Sequence, residues 1–347
     1  MPRNKPPTMS DVAKLAGVSP MTVSRALRPD ASASDNTRKK IREAADQLGY
    51  VLDSTAAGLS SRKTGFVAAT IPSINNANFA NTVKGLTDGL RDSGLQVLLG
   101  FTGYDLKEEE RIVETFLRRR PEAIVVTGGV HTERCRRYLA ASGVPVIEIW
   151  DLPRSPIEHS IGFSNVKAGR VMANYLMSRG YQKIGFIGGD TEQDIRGSDR
   201  RLGFKEALEE KGLDISRFWV SEDRIINIAE GAAAMDGLLD QFPDIEAVMC
   251  ASDLSAFGAM MSCVRRGKSV PEDIAISGFG AYDLAANAVP QITTLDVGDY
   301  RIGEEAAEVI IAQLFAENID DSEQKPARIE IPIQLLERGS TLAQKKD

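Results

Sequence analysis

The stretch DVAKLAGVSPMTVSRAL, residues 11–27, decides how the front of this 347-residue chain is read. Thr8, followed three positions later by Asp11, has the form of a capping box, and Val12, Ala13, Leu15 and Ala16 supply an apolar face before Gly17 ends the run. Ser19 caps a second helix, predicted to run to about Leu27, whose first position is Pro20, where a missing N–H is no loss. Two short helices joined by Gly17, Val18 and Ser19 make a helix-turn-helix. A third helix, predicted from Ser34, places Ile41, Ala45 and Leu48 on one stripe that can close a small core with Val12, Val18, Val23 and Leu27.

Val23 and Leu27, four apart, face that core, which leaves Met21, Arg25 and Arg28 as an outer stripe. Such a stripe suits a major groove. Arg25 can pair bidentately with guanine O6 and N7, Pro20 and Met21 offer apolar contact, and Thr22 and Ser24 flank the stripe as phosphate donors. The plain alternative is a surface helix with ordinary exposed arginines. Charge favours the first reading: residues 1–63 carry a net +5 and the remainder −12, giving the overall −7.

The length suits about two domains, and 42% apolar residues can fill more than one core. The longest apolar runs, 124–127 and 144–150, fall far short of a bilayer span, so no membrane partner is expected. The opening MPRNKPPTMS has positive charge without an apolar run behind it, and a cytoplasmic protein is expected. Three cysteines (Cys135, Cys250, Cys263) without C-x-x-C spacing, and two histidines (His131, His159), form neither a disulfide framework nor a zinc cluster. No metal or cofactor is expected.

From Gly65 onward, short β-rich runs alternate with helical stretches. GFVAATIP, QVLLGF, AIVVTGG and VPVIEIW form one series; IGF, KIGFIGG, VMCAS and DIAISGF form a second. Strand and helix alternating in two series imply an α/β body of two doubly wound parallel sheets, with a ligand cleft beyond the carboxyl ends of the strands. Polar residues at those ends are the candidate ligand set: Ser73, Asn76, Thr127, His131, Glu148, Asp151, Ser252, Asp253, and Asp283 near Phe279. Each of them reads equally well as a helix cap or turn former.

Residues 11–27, taken with SDNTRKKIREAADQLGY (34–50), resemble the headpiece of the lactose/galactose repressor (LacI/GalR) family, and the resemblance runs along essentially the whole chain. It implies an all-α helix-turn-helix headpiece followed by a body like the periplasmic sugar-binding proteins. It further implies that Pro20, Met21 and Arg25 read bases, that Ser19, Thr22, Ser24, Ser34 and Thr37 hold phosphates, and that Arg28, where the family often has Asn, adds a phosphate contact. The stretch 51–64, by itself only a polar linker, becomes a hinge: Asp53 caps a short helix, Ala56 packs against a dimer mate, and Leu59 wedges into the minor groove. The family more often has Pro-Asn in place of Leu52-Asp53.

The same resemblance divides the chain into a headpiece (1–50), a hinge (51–64), a body (65–340) and a tail (341–347). Within the body, one subdomain is 65–163 with 294–318 and the other 164–293 with 319–340, with crossovers near Phe163, Thr293 and Asn318. Arg200, in RRLGF, takes the position of an arginine that holds effector hydroxyl or carboxylate oxygens; Phe79 lines the cleft or is plain core. TGGVHT, PVIEIWD, IGFSN and GFGAYD look most like the gluconate-operon repressor branch, although Gly280 stands where many relatives have Asp, and Asp283 is a displaced candidate. The N–H groups of Gly128 and Gly129, with His131 and Arg200, could accommodate a carboxylate. The expected partners are a near-palindromic double-stranded operator, a sugar acid such as gluconate or a ketogluconate, with a neutral sugar as the alternative, and a second copy meeting along residues 79–90. The ending GSTLAQKKD lacks a leucine heptad, so no tetramer of the lac-repressor kind is expected.

Two rivals remain. IGFIGGD (184–190) lacks the G-x-G-x-x-G spacing, and neither G-x-x-x-x-G-K-[ST] nor G-x-S-x-G occurs, so an enzyme is not expected. A non-catalytic sugar-binding protein would share the body but leave Arg25 and Leu59 without a role.

Overall fold

The computed structural model describes residues 6–26, 34–51, 64–189, 194–221, 227–315 and 325–342. The chain divides into two compact units, Met1–Thr64 and Gly65–Asp347.

The first unit holds α1 (Met9–Ala16), α2 (Pro20–Ala26) and α3 (Asp35–Leu48). The capping box forms: Asp11 accepts from the Thr8 N–H at 2.8 Å, and Thr8 Oγ1 accepts from the Asp11 N–H. Gly17 closes α1 at φ 69°, the left-handed conformation that glycine adopts without strain. Val12, Ala13, Val23, Ala26, Ile41, Ala44 and Ala45 make the core, with Val18 and Leu48 against it. Leu15 departs from expectation and is 46% exposed, because Val12 and Ala13 already fill the narrow inner face of a two-turn helix. Leu27 and Arg28 lie outside the described residues, as do Asp53, Ala56 and Leu59.

The second unit is two lobes. In the first, β1 (Phe66–Ile71), β2 (Gln96–Phe101), β3 (Ala123–Thr127), β4 (Val146–Ile149) and β5 (His159–Gly162) alternate with α4 (Ala77–Leu90), α5 (Leu106–Leu117) and α6 (Glu133–Ala140). In the second, α7 (Asn165–Ser178), β6 (Ile184–Gly189), α8 (Ile195–Glu210), β7 (Phe218–Ser221), α9 (Ile228–Gln241), β8 (Ala247–Cys250), α10 (Asp253–Arg265) and β9 (Ala275–Ser277) follow in order. A short α11 (Asp283–Asn287) and the connecting β10 (Thr294–Asp296) lead to α12 (Asp299–Phe315), β11 (Arg328–Glu330) and β12 (Gln334–Leu336). The sheets run β11-β5-β4-β3-β1-β2 and β7-β6-β8-β9, every pair parallel. β3 and β6 are buried along their whole length, as strands covered by helices on both faces must be.

Several features differ from the sequence reading. Helix α9 was not foreseen, because GAAAMDGLL is rich in alanine and glycine and gives little apolar contrast between faces. Strand β11 pairs with β5, Arg328 opposite Ser160, so residues expected in the second lobe belong to the first sheet. The last crossover therefore falls beyond Asn318, where β12 runs antiparallel to β10 with Leu336 opposite Thr294. Thr341, expected to open a tail, is fully buried and bonds Tyr175 Oη at 2.7 Å and Thr293 Oγ1 at 2.6 Å.

Three helix pairs pack through reciprocal glycines. A Cβ on Gly85 of α4 or Gly303 of α12 would lie 2.1 or 2.0 Å from a carbonyl oxygen of the other helix. Gly169 of α7 and Gly203 of α8 would each come within 1.9 Å of the partner backbone, and Gly231 of α9 and Gly258 of α10 repeat the arrangement at 2.4 and 1.9 Å. Backbone meets backbone there, so the missing side chains set the helix separation.

Candidate DNA-reading surface and ligand cleft

On α2, Val23 and Ala26 point into the core, while Pro20, Met21 and Arg25 are exposed, Met21 by 64%. Thr22 and Ser24 are half-buried beside them. Ser19 Oγ accepts from the Thr22 N–H at 3.2 Å and its hydroxyl lies 2.9 Å from that of Thr22. Ser34 and Thr37 repeat the pattern on α3, at 3.4 and 2.9 Å. Four of the five hydroxyl residues read as phosphate contacts thus stand in two matched pairs at helix N-termini, where free N–H groups and the helix dipole favour an anion. The sequence reading missed this pairing, although the S-x-x-T spacing shows it twice.

In the body, the carboxyl ends of the two sheets face each other across a cavity of about 290 Å³. Ser73, Asn76 and Phe79 line it from the first lobe, and Arg200, Ser252 and Phe279 from the second. Tyr104, Trp150, Asp194, Arg196, Asn227 and Tyr282 complete the wall and were not foreseen. Phe79 meets Trp150 edge-to-face at 5.0 Å; Trp150 meets Phe163 at 5.8 Å, and Phe163 meets Phe279 at 6.0 Å. Phe79 is therefore both lining and core. Trp150 Nε1 donates to Thr82 Oγ1 at 3.1 Å. Tyr104 and Trp150 sit at φ 65° and 70°, unfavourable for non-glycine residues, so backbone strain gathers at this wall. Tyr282 Oη donates to Asn76 Oδ1 at 2.7 Å, joining the lobes over the cavity.

Other candidates lie elsewhere. Thr127 and Asp151 line a smaller side chamber with Gly128 and Gly129, which Tyr104 and Arg196 share with the main cavity. Burial raises the Asp151 carboxyl, with the Leu152 N–H and the Arg196 charge opposing. His131 and Glu148 line neither chamber: their side chains are buried behind Glu109, which itself borders the side chamber. Asp253 is fully buried and accepts from the Tyr282 N–H at 2.8 Å; burial pushes its carboxyl up to about 6 against hydrogen bonds from Thr294 and Tyr282. Asp283 is exposed and occupied with Asn287 on its own helix, so it does not replace the aspartate that Gly280 displaces. The Gly128 N–H already donates to Ile149 O at 2.8 Å and the Gly129 N–H to the Asp151 carboxylate, so this turn is no free anion cradle.

Charge is concentrated on α8. Arg200 is buried, donates from Nη1 to Asn165 Oδ1 at 2.6 Å, and stacks 4.2 Å over the Phe279 ring, while its Nε has no partner. Burial holds its guanidinium below the ordinary range; Asp194 opposes this and Arg196 adds to it. Arg196, one helical turn earlier, lies 5.8 Å over the Phe79 ring with Nη1 3.5 Å from Thr127 O. Among the described residues neither guanidinium has a carboxylate within ion-pair distance. The i, i+4 spacing from Arg200 is the signal that could have revealed Arg196.

Among the described residues, Glu109, His131 and Cys135 bring potential metal-ligand atoms within 4.8 Å of one another. His131 already bonds Glu109, and burial pushes the Cys135 thiol up to about 12, so the trio fits an ion pair beside a protonated thiol better than a cation site.

Residues 8–53 match the bacterial regulatory proteins of the lacI family, and residues 173–341 match the periplasmic binding protein-like domain. The chain is 34% identical over 335 residues to the HTH-type transcriptional regulator GntR of Pseudomonas aeruginosa, covering 96% of each chain. It is 29% identical to the regulator of that name from Escherichia coli K12, over 91% of this chain and 95% of the relative. A crystal structure of a LacI-family transcriptional regulator from Silicibacter pomeroyi superposes with a TM-score of 0.90 at 32% identity, covering 97% of this chain and 99% of the other. Among the described residues no helix is long and apolar enough to cross a membrane. A helix-turn-helix joined to a two-lobed α/β body, in a chain this similar end to end, makes the protein a member of the LacI family of transcriptional regulators.

Proposed function

We propose that this regulator is a cytoplasmic, homodimeric repressor without enzymatic activity, whose affinity for a near-palindromic operator is set by a sugar acid such as gluconate or a ketogluconate. The observation that carries the effector reading is the pair of cleft guanidiniums, Arg196 and Arg200, neither ion-paired among the described residues. A desolvated cation without a counter-charge is costly, and a ligand carboxylate supplies what is missing. The Phe79 and Trp150 rings offer apolar faces to the C–H side of a sugar chain, and Asn76, Asn227 and Ser252 offer hydrogen bonds to hydroxyls. A neutral sugar would use the same rings and amides but bring no carboxylate to the two guanidiniums, neither of which is ion-paired among the described residues.

On the DNA side, Pro20, Met21 and Arg25 read bases, and Ser19, Thr22, Ser24, Ser34 and Thr37 hold phosphates, with Arg28, Ala56 and Leu59 completing the contact. Two headpieces engage the two half-sites of the operator. Ligand between the lobes changes their angle, and with it the order of the hinge, residues 51–64. The coupling is reciprocal, so operator must change effector affinity by the same factor. A second copy has an apolar surface to meet on the second lobe, where Val264 is 62% and Val289 87% exposed. The outer face of α4, the dimer contact expected along residues 79–90, presents the exposed Asn81, Lys84 and Thr87 to such a partner.

Isothermal titration of the full chain with gluconate, 2-ketogluconate and glucose tests the effector reading, followed by the best ligand's effect on operator affinity. Binding of the acids with a change in operator affinity is expected. Tight binding of glucose, with none of either acid, overturns it.

A further inference from the structure

Arg200 is the residue the sequence singles out, yet the structure places a second guanidinium one turn earlier, where the main cavity opens into its side chamber. We propose that Arg196 is the specificity-determining residue, its guanidinium fork taking the ligand carboxylate between the lobes, and that Gly128 is what admits the fork there; this rests on reading the cleft as a sugar-acid site.

Arg200 is largely committed. One Nη is held by Asn165 at 2.6 Å and one face of the guanidinium lies on Phe279, which leaves the Nε–Nη2 edge of a buried, fixed side chain for a ligand. That edge serves hydroxyls and carboxylates alike, so Arg200 by itself does not select an acid; a carboxylate is bound best by two parallel N–H groups free to align with it. Arg196 is half-buried, and its one hydrogen bond among the described residues, 3.5 Å to Thr127 O, is at the limit of what counts as a bond. The fork is therefore available, and it stands where the main cavity opens into the side chamber. Asp151 in that chamber acts on Arg196 electrostatically without pairing with it, so the guanidinium is attracted to its post and not neutralised.

Gly128 explains how the fork arrives. Its φ of 97° is open to glycine but strained for other residues, and a Cβ there would lie 2.7 Å from Arg196 Nη1. Arg196 belongs to the second lobe, whereas Phe79, Thr127 and Gly128 belong to the first. A carboxylate held by Arg196 therefore sits at the seam, and its recognition is tied to lobe closure.

The test compares gluconate with gluconamide, its neutral analogue of equal length, by titration calorimetry on the full chain and on Arg196→Met, Arg196→Lys and Gly128→Ala. The wild type should prefer the acid. Arg196→Met should cut that preference by about 100-fold, the scale for removing one partner of a desolvated charge pair. Arg196→Lys should restore part of it through charge without the fork, and Gly128→Ala, strained at that φ, should lower the melting temperature somewhat while lowering gluconate affinity far more than gluconamide affinity. A methionine variant that keeps the wild-type acid-to-amide ratio overturns the assignment while leaving the sugar-acid reading intact. A wild-type chain that binds the amide as well as the acid overturns both.

Discussion

His131 Nδ1 lies 2.7 Å from Glu109 Oε2, and its Nε2 faces Glu148 Oε1 at 3.4 Å, with all three side chains sealed from solvent. Burial alone would lower the imidazole, but the two carboxylates more than reverse this and raise it to about 9. The cluster ties α5 and β4 to the loop that ends in the side chamber. A histidine raised in the folded state contributes stability that is fully present below its unfolded value near 6.5 and is lost as pH climbs through about 9. The shift corresponds to roughly 3 kcal/mol. His131→Asn should therefore destabilise the body by about that much at pH 6.5 and by much less at pH 9.5, as urea unfolding would read. Equal destabilisation at both values would mean that the imidazole is neutral.

Asp253 loses stability in the same direction of pH, but because its charged form is the disfavoured one. Its carboxyl, pushed up to about 6 mainly by burial, holds a proton more tightly folded than unfolded. Stability from this group is thus greatest below the unfolded value near 3.8 and declines as pH rises through about 6. Ionised Asp253 costs about 3 kcal/mol at pH 8. Asp253→Asn retains an oxygen for the Tyr282 N–H and should raise the melting temperature at pH 8, with the gain fading towards pH 4. A variant less stable than wild type at pH 8 would show that the charge is compensated.

Arg25 and Ser34 should separate on DNA. Arg25→Ala is expected to cost about 1–3 kcal/mol and to relax discrimination at one base pair. Ser34→Ala should weaken all duplexes alike and lower headpiece stability by about 1 kcal/mol through the lost cap on Thr37. Affinities for the selected site and its single-base variants, each over a range of salt, decide between them. Identical profiles would remove base reading from α2.

The headpiece was legible in the sequence because every signal in it is local: a cap and its partner three residues apart, a glycine, a short apolar period. In the cleft, β/α alternation names residues at strand ends but not the side they take. Glu148 shares the face of Val146, whereas Ile147 and Ile149 pack into the other core, and that parity sends Glu148 behind the sheet. Asn76 and Tyr282 meet across 206 positions, and only the closed arrangement of two lobes could reveal it. Strand β11 was hidden for the same reason, since its partner β5 lies well over a hundred residues upstream.

The glycine contact between α7 and α8 governs where both cleft arginines stand. A Cβ on Gly203 would lie 1.9 Å from Val166 O, and one on Gly169 the same distance from Arg200 O. Carbonyl oxygens in helices cannot swing aside as a flexible side chain can, so Gly203→Ala must part the helices by roughly an ångström and should cost about 1–3 kcal/mol. Displacing α8 carries Arg196 and Arg200 with it, and misplacement on that scale weakens ligand contacts steeply. Gluconate affinity should fall by about 10-fold or more. Gly89→Ala is the control: its Cβ would meet the Ala307 side chain at 2.6 Å, at the end of α4 remote from the cleft. It should lower stability while leaving gluconate affinity near wild type. Equal loss of affinity in both variants would trace the effect to general loosening of the body, and the seam between α7 and α8 would have no special claim on the arginines.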